Sequence, residues 1–209
     1  MSEDISTEPD LDPKPLADLG PRTGLAGIWE GTAGTDVHPV DPAEGGTETE
    51  TYVERYELQP IDPQTNGPQY FYGLRYHVHI HKPGEVETFH DQVGYWLWNP
   101  VEQTVTQTIA IPRAQVALAS GAGVAADATT FTLEAERGST VYGICSNPFL
   151  ERAFTTVSFR ITVTVHADGT WSYDEDTVLQ LPDRDEPFHH TDVHVLRKVG
   201  EPTPNPLAR

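Results

Sequence analysis

From about residue 49 to residue 197 the chain alternates apolar and polar positions with a period of two, and carries hardly any helical period. In 49–58 the alternation puts Tyr52, Glu54, Tyr56 and Leu58 on one face. In 69–81 it separates Tyr70, Tyr72, Leu74, Tyr76, Val78 and Ile80 from Phe71, Arg75, His77, His79 and His81. In 88–98 it sets His90, Gln92, Gly94, Trp96 and Trp98 against Phe89, Val93, Tyr95 and Leu97. Segments 104–111, 114–119, 129–135 and 153–165 continue the pattern, and 171–181 and 188–197 close it. A short strand at 25–31, with glycines around Trp29, opens the series. Turn chemistry sits between them: Pro83-Gly84, and Asp168-Gly169, which readily takes positive φ in a hairpin. A single helical turn is expected at 147–151.

About ten short strands with regular turns predict an all-β domain, as a sandwich or a closed up-and-down barrel. Side chains can fill a barrel of about eight strands, whereas a wider one encloses space. Segments 69–81 and 88–98 carry aromatic or imidazole groups on both faces, which a ligand cavity accounts for. The expectation is therefore an antiparallel up-and-down β-barrel of about ten strands with a central ligand cavity.

Composition sets the limits of the domain. Residues 1–22 are acidic and Pro-rich with few large apolar groups, and read as a disordered leader. Residues 23–199 form the barrel, and 200–209 a Pro-rich tail that cannot continue a sheet. The formal charge of −19 argues against a phosphate backbone or an anionic membrane as partner. No apolar run reaches the roughly 18 residues of a membrane span. With no signal-like start and one cysteine, Cys145, a cytoplasmic location is expected.

Candidate chemistry concentrates in histidine. The chain lacks a nucleophile elbow, a P-loop, a dinucleotide fingerprint and a Cys-x-x-Cys pair. Cys145 reads as a packing residue, and Asp174, Glu175 and Asp176 as a solvated arm. Nine histidines remain. The strand at 188–197 places His190, Asp192, His194 and Leu196 on one face, and His189, Thr191, Val193, Val195 and Arg197 on the other. An imidazole aimed into a cavity from a rigid strand suits a metal or a metallo-cofactor. The competing reading is a solvated edge strand. His77, His79 and His81 share a face and could chelate a transition metal, or simply form a polar outer surface.

The order of these features resembles the nitrobindins, heme-binding β-barrels of the fatty-acid-binding-protein-like kind. Gly27-Ile28-Trp29-Glu30-Gly31-Thr32-Ala33 is similar to their opening Gly-x-Trp-x-Gly-x-Gly, with Ala33 in place of the last glycine. His38-Pro39 is similar to their Tyr-Pro element, and His90-Asp91-Gln92-Val93-Gly94-Tyr95 to their His-x-Glu-x-Gly-Tyr. Residues 188–197 resemble the closing strand that carries the axial histidine. The resemblance covers residues 25–199.

It implies a heme b whose iron is bound by His190, with His189 as runner-up. Gly27, Trp29, Gly31 and Arg75 would be cofactor-binding, and His38 and His90 catalytic groups on the distal side. The implied activity is binding of nitric oxide, or isomerisation of peroxynitrite to nitrate at ferric iron. A homodimer is implied by analogy. Val40 stands where the family has threonine, Gln92 where it has an acid, and His38 where it has an aromatic, so a more polar distal pocket is expected, one that favours ligand stabilisation or peroxidase-like chemistry over simple gas binding. Two other readings compete. One is a cofactor-free barrel holding a small apolar ligand against Trp29, Tyr72, Trp96 and Trp98. The other is a metal-binding barrel using His77 and His79.

Overall fold

A computed structural model of the chain describes residues 14, 16–40, 46–182 and 184–204. Eleven strands form one closed barrel: β1 (Gly27–Pro39), β2 (Thr47–Asn66), β3 (Gln69–His81), β4 (Thr88–Asn99), β5 (Thr104–Ile111), β6 (Gln115–Gly121), β7 (Thr130–Arg137), β8 (Gly143–Ser146), β9 (Thr155–Val165), β10 (Trp171–Gln180) and β11 (Phe188–Gly200). The all-β barrel expected from the alternation is what forms. Closure comes from β1, which pairs antiparallel with both β2 and β11 and so leaves no free edge there. Two details depart from a simple up-and-down circuit. The strand β8, four residues too short to show a period, inserts between β6 and β7, and it runs parallel to β7. The helical turn, expected at 147–151, begins three residues later, as α1 (Leu150–Ala153).

On β3 and β11 the faces predicted from the period of two are the faces observed, whereas on β4 a register shift brings Phe89, expected opposite His90, to the same cavity. Tyr72, Leu74, Tyr76, Val78 and Ile80 of β3 are buried while Arg75 and His77 are exposed. On β11, His194 and Leu196 are buried while Val193 and Val195 are exposed. One end of the barrel is filled by aromatic rings. Trp171 packs edge-on against Trp29 and Tyr56, with ring centroids 6.2 and 5.3 Å away, and Trp96 meets Tyr76 and Phe131 at 6.4 and 6.2 Å. The Trp96 indole donates to the Tyr56 hydroxyl at 2.9 Å, so its buried N–H is satisfied.

A 3₁₀ helix, η1 (Gly20–Leu25), packs into this end. Leu19 and Leu25 are fully buried, and so is Arg22, whose guanidinium donates to the carbonyls of Leu19 (3.1 Å), Tyr72 (2.9 Å) and Trp96. Three strand and turn carbonyls that end in the core thus find a donor. The folded unit therefore begins before residue 23, the start expected from composition, because the arginine is structural. Of the expected leader, residues 1–13 and 15 lie outside the described residues, as do 205–209 of the expected tail.

A bulge in β1 positions the other end. The register of β1 against β2 shifts between Gly31 and Gly34, and against β11 between Glu30 and Thr35. An extra residue in one strand reverses which parity faces inward. Trp29 and Gly31 therefore point in before the bulge, and Gly34 and Asp36 after it. A Cβ on Gly31 would sit 2.2 Å from His194 Nε2, so only glycine lets β1 and the β11 imidazole pass this closely.

Candidate functional site

Above the aromatic floor the barrel encloses a cavity of about 500 Å³. That is within the roughly 300–1,000 Å³ typical of small-molecule sites. Its wall has two chemically distinct parts. One is apolar, built by Val78, Ile80, Phe89, Ile109, Phe159 and Ile161 among others. The second is a concentration of ionisable groups: Asp36 and His38 from β1, Glu50 and Glu54 from β2, His90 from β4, Glu175 from β10, and His190 and Asp192 from β11. Lys82 and Arg113 border the same space, and Lys82 is bonded to Glu50.

The polar part is connected. Asp36 lies between two histidines, with Oδ1 2.9 Å from His190 Nε2 and Oδ2 3.1 Å from His38 Nδ1. The β1–β11 register places this opposition, since Asp36 pairs with Asp192 and Val37 with Thr191. Asp192 Oδ2 is 3.5 Å from the same His190 nitrogen. Deeper in, His194 Nδ1 is 2.8 Å from Glu54 Oε2, to which the Tyr173 hydroxyl donates at 2.9 Å. The Tyr52 and Tyr173 hydroxyls are 2.8 Å apart. His194 and Glu54 are almost wholly enclosed, and His194 Nε2 has no partner among the described residues.

Crowded carboxylates in a cavity cannot all ionise freely. Burial pushes the Asp192 carboxyl up to about 7, with Asp36 and Glu54 adding to the rise and His190 opposing it. Burial, then Asp192, Glu54 and Asp36, drive Glu175 well above the carboxylate range. Asp36 moves the other way: burial would raise it, but its bonds to His190 and His38 win and hold it low. For His190 burial favours the neutral ring, and the Asp36 and Asp192 carboxylates outweigh it, so its pKa rises. His90 is pushed down by burial and stays neutral at neutral pH.

The structure brings three of the expected site residues, His38, His90 and His190, to one cavity. The others lie elsewhere. His189 points outward from β11 and is paired with Asp176 at 2.8 Å, as the alternation requires of His190's neighbour. Arg75 faces the exterior of β3, where it borders a shallow hollow of about 900 Å³ together with His77, Tyr95 and Cys145. That hollow is larger, yet it gathers no comparable cluster of ionisable groups. Trp29 belongs to the aromatic floor and donates to the Leu25 carbonyl at 2.7 Å, while Gly27 and Gly31 serve strand approach. None of these three borders the cavity.

The residues expected to line an apolar-ligand site, Trp29, Tyr72, Trp96 and Trp98, are likewise packed in the core and do not line it. His77 and His79 stack outside the barrel, bonded to Asp91 and Thr88 respectively. Cys145 is exposed on β8 and does not pack. Glu175, expected on a solvated arm, borders the cavity because β10 turns that residue inward between its neighbours. Sequence reasoning also missed Asp36 and Glu54 as site residues. Glu54 shared a predicted face with Tyr52 and Tyr56, which was the available signal. Asp36 had none, because the bulge that turns it inward is not written in the alternation.

Residues 18–198 match the family described as the THAP4-like, heme-binding beta-barrel domain. The chain belongs to this family. No curated protein matches it. Among solved structures, the crystal structure of Rv2717c from M. tuberculosis is similar, with a TM-score of 0.61 at 18% identity, over 91% of this chain and 99% of that one. That likeness speaks for the barrel fold. The chain is thus a barrel of the heme-binding kind, and its cavity is compatible with such a group on three counts. It has an imidazole on a rigid strand, His190; an extended apolar wall; and cationic side chains, Lys82 and Arg113, beside which carboxylate groups of a ligand could rest. Among the described residues no helix is long and apolar enough to cross a membrane.

Proposed function

We propose that this barrel carries heme b in its cavity, with the His190 imidazole as the protein ligand to iron, and that it binds nitric oxide and isomerises peroxynitrite to nitrate. The observation that carries the reading is the place of His190: inward on β11, at the border of a cavity that also has a large apolar lining. Heme iron held by one imidazole keeps a coordination position for a small ligand, and peroxynitrite isomerisation needs no external reductant. The chain's own contribution is positional and electrostatic. His90 offers a neutral imidazole that can donate or accept a hydrogen bond to a bound oxyanion. His38 is oriented by Asp36 and borders the same cavity. The apolar residues exclude bulk water, which strengthens those interactions.

The test is a hemin titration of the purified protein followed by absorption. Wild type is expected to give a Soret band at one equivalent, and His190→Ala to bind at least about tenfold more weakly, in line with loss of a metal ligand or its support. With hemin bound, peroxynitrite should decay to nitrate faster than in buffer, and His90→Ala should slow it. A protein that takes up no hemin would leave the cavity to a small apolar ligand, which the apolar half of the wall would favour.

A further inference from the structure

We infer that in the heme-free chain the cluster Asp36–His190–Asp192 is a binding site for a first-row divalent cation such as Zn²⁺, which would compete with heme for the His190 imidazole. Among the described residues these three each offer one ligand atom, and the atoms lie within 4.8 Å of one another. Both spacings from the imidazole are close to those of neighbouring donors in a coordination shell. His190 Nε2 is 2.9 Å from Asp36 Oδ1 and 3.5 Å from Asp192 Oδ2. Bonds of about 2.0–2.2 Å from imidazole nitrogen and carboxylate oxygen put neighbouring donors roughly 3.0–3.5 Å apart. The three donor atoms, all within 4.8 Å of one another, would close around a cation placed between them.

The donors converge from two strands fixed to each other by the β1–β11 ladder, where Asp36 and Asp192 are direct partners. The supporting shell is in place too. The second oxygen of Asp36 meets His38 Nδ1 at 3.1 Å, and His38 Nε2 in turn faces Glu48 at 3.7 Å, so the ligand carboxylate is oriented from behind. An entry path exists, because all three residues of the cluster border the cavity. Charge points the same way. Asp36, held ionised between its two histidines, supplies negative charge at the cluster, and the chain's formal −19 favours the approach of a cation. One imidazole with two carboxylates suits Zn²⁺, Mn²⁺ or Fe²⁺, and is poor for the thiolate-seeking metals and for an all-oxygen Ca²⁺ shell.

The experiment is a calorimetric titration of Zn²⁺ into the chelator-treated full chain, without hemin, so that this inference and the heme reading can fail separately. One tight equivalent is expected, at least tenfold weaker in Asp36→Asn and in Asp192→Asn, and unchanged in His77→Ala, whose imidazole lies on the outer face beside Asp91. X-ray absorption of the zinc-loaded wild type provides the second measurement, whatever the folding of the variants. A shell of nitrogen and oxygen at about 2.0–2.1 Å with an imidazole signature supports the site, and a sulfur at about 2.3 Å, from Cys145, overturns it. Zinc uptake that survives both aspartate changes, or is lost in His77→Ala, overturns it as well.

Discussion

At the scale of single residues, the cavity is governed by who faces whom. His190 and His90 line the same space yet are biased oppositely: Asp36 and Asp192 favour the charged ring of the first, burial the neutral ring of the second. The His90 bias has a consequence for stability with a definite sign. A histidine whose folded pKa lies below its unfolded value binds fewer protons in the native state. Its contribution is therefore fully present above the unfolded value of about 6.5 and is lost as pH falls toward the folded one. His90→Gln cannot take up that proton. Chemical unfolding of wild type and variant between pH 7.5 and 5 should show the wild type losing stability relative to His90→Gln as the pH falls. A difference that stays constant across that range would mean that burial does not hold the ring neutral.

The elements matter through what they close. Segment η1 seals the aromatic end, and its Arg22 is the donor for three buried carbonyls. Burial lowers the pKa of this guanidinium, a cost that the three acceptors offset. Arg22→Met would fill similar space but leave acceptors unpaired, each costing about 1–3 kcal/mol. Removing the buried charge recovers part of that cost, so a net loss of roughly 2–4 kcal/mol is expected, seen as a melting temperature lower by about 5–15 °C. The cavity at the opposite end should keep its ligand affinity if the variant is assayed well below its melting temperature. On β1, the bulge between Gly31 and Gly34 carries the functional weight, since without the parity change Asp36 would face solvent and His190 would lose its partner.

For the whole molecule, charge is the dominant surface term. A formal −19 at pH 7 with several carboxylates facing one cavity means that the fold works against its own repulsion. At 0.1 M salt the repulsion between exposed charges more than about 10 Å apart is largely screened. The melting temperature should therefore rise between 20 and 300 mM sodium chloride, a result scanning calorimetry can check. A flat or falling curve would show that ion pairs such as Arg55–Glu30 and Arg137–Glu151 outweigh the excess of acid.

Legibility in the sequence divides along the same physical line. A period of two is a local property of a strand, so the alternation was enough for the all-β class, for nearly every strand, and for the inward faces of β3 and β11, with His190 and Asp192 side by side. His189 was separable from His190 by parity alone. Closure, bulges and register are long-range, and they decided the rest. The β1 bulge turned Asp36 inward against β11, the ladder set it opposite Asp192, and closure packed the tryptophans into the floor, while the outward side of Arg75 followed from parity. Arg22 looked like leader because its partners are carbonyls of distant strands, and β8 was invisible because four residues are too few to show a period. The alternation determined which residues could share a face; only the closed sheet decided which faces meet, because contacts between strands depend on register and no single strand encodes its neighbour's.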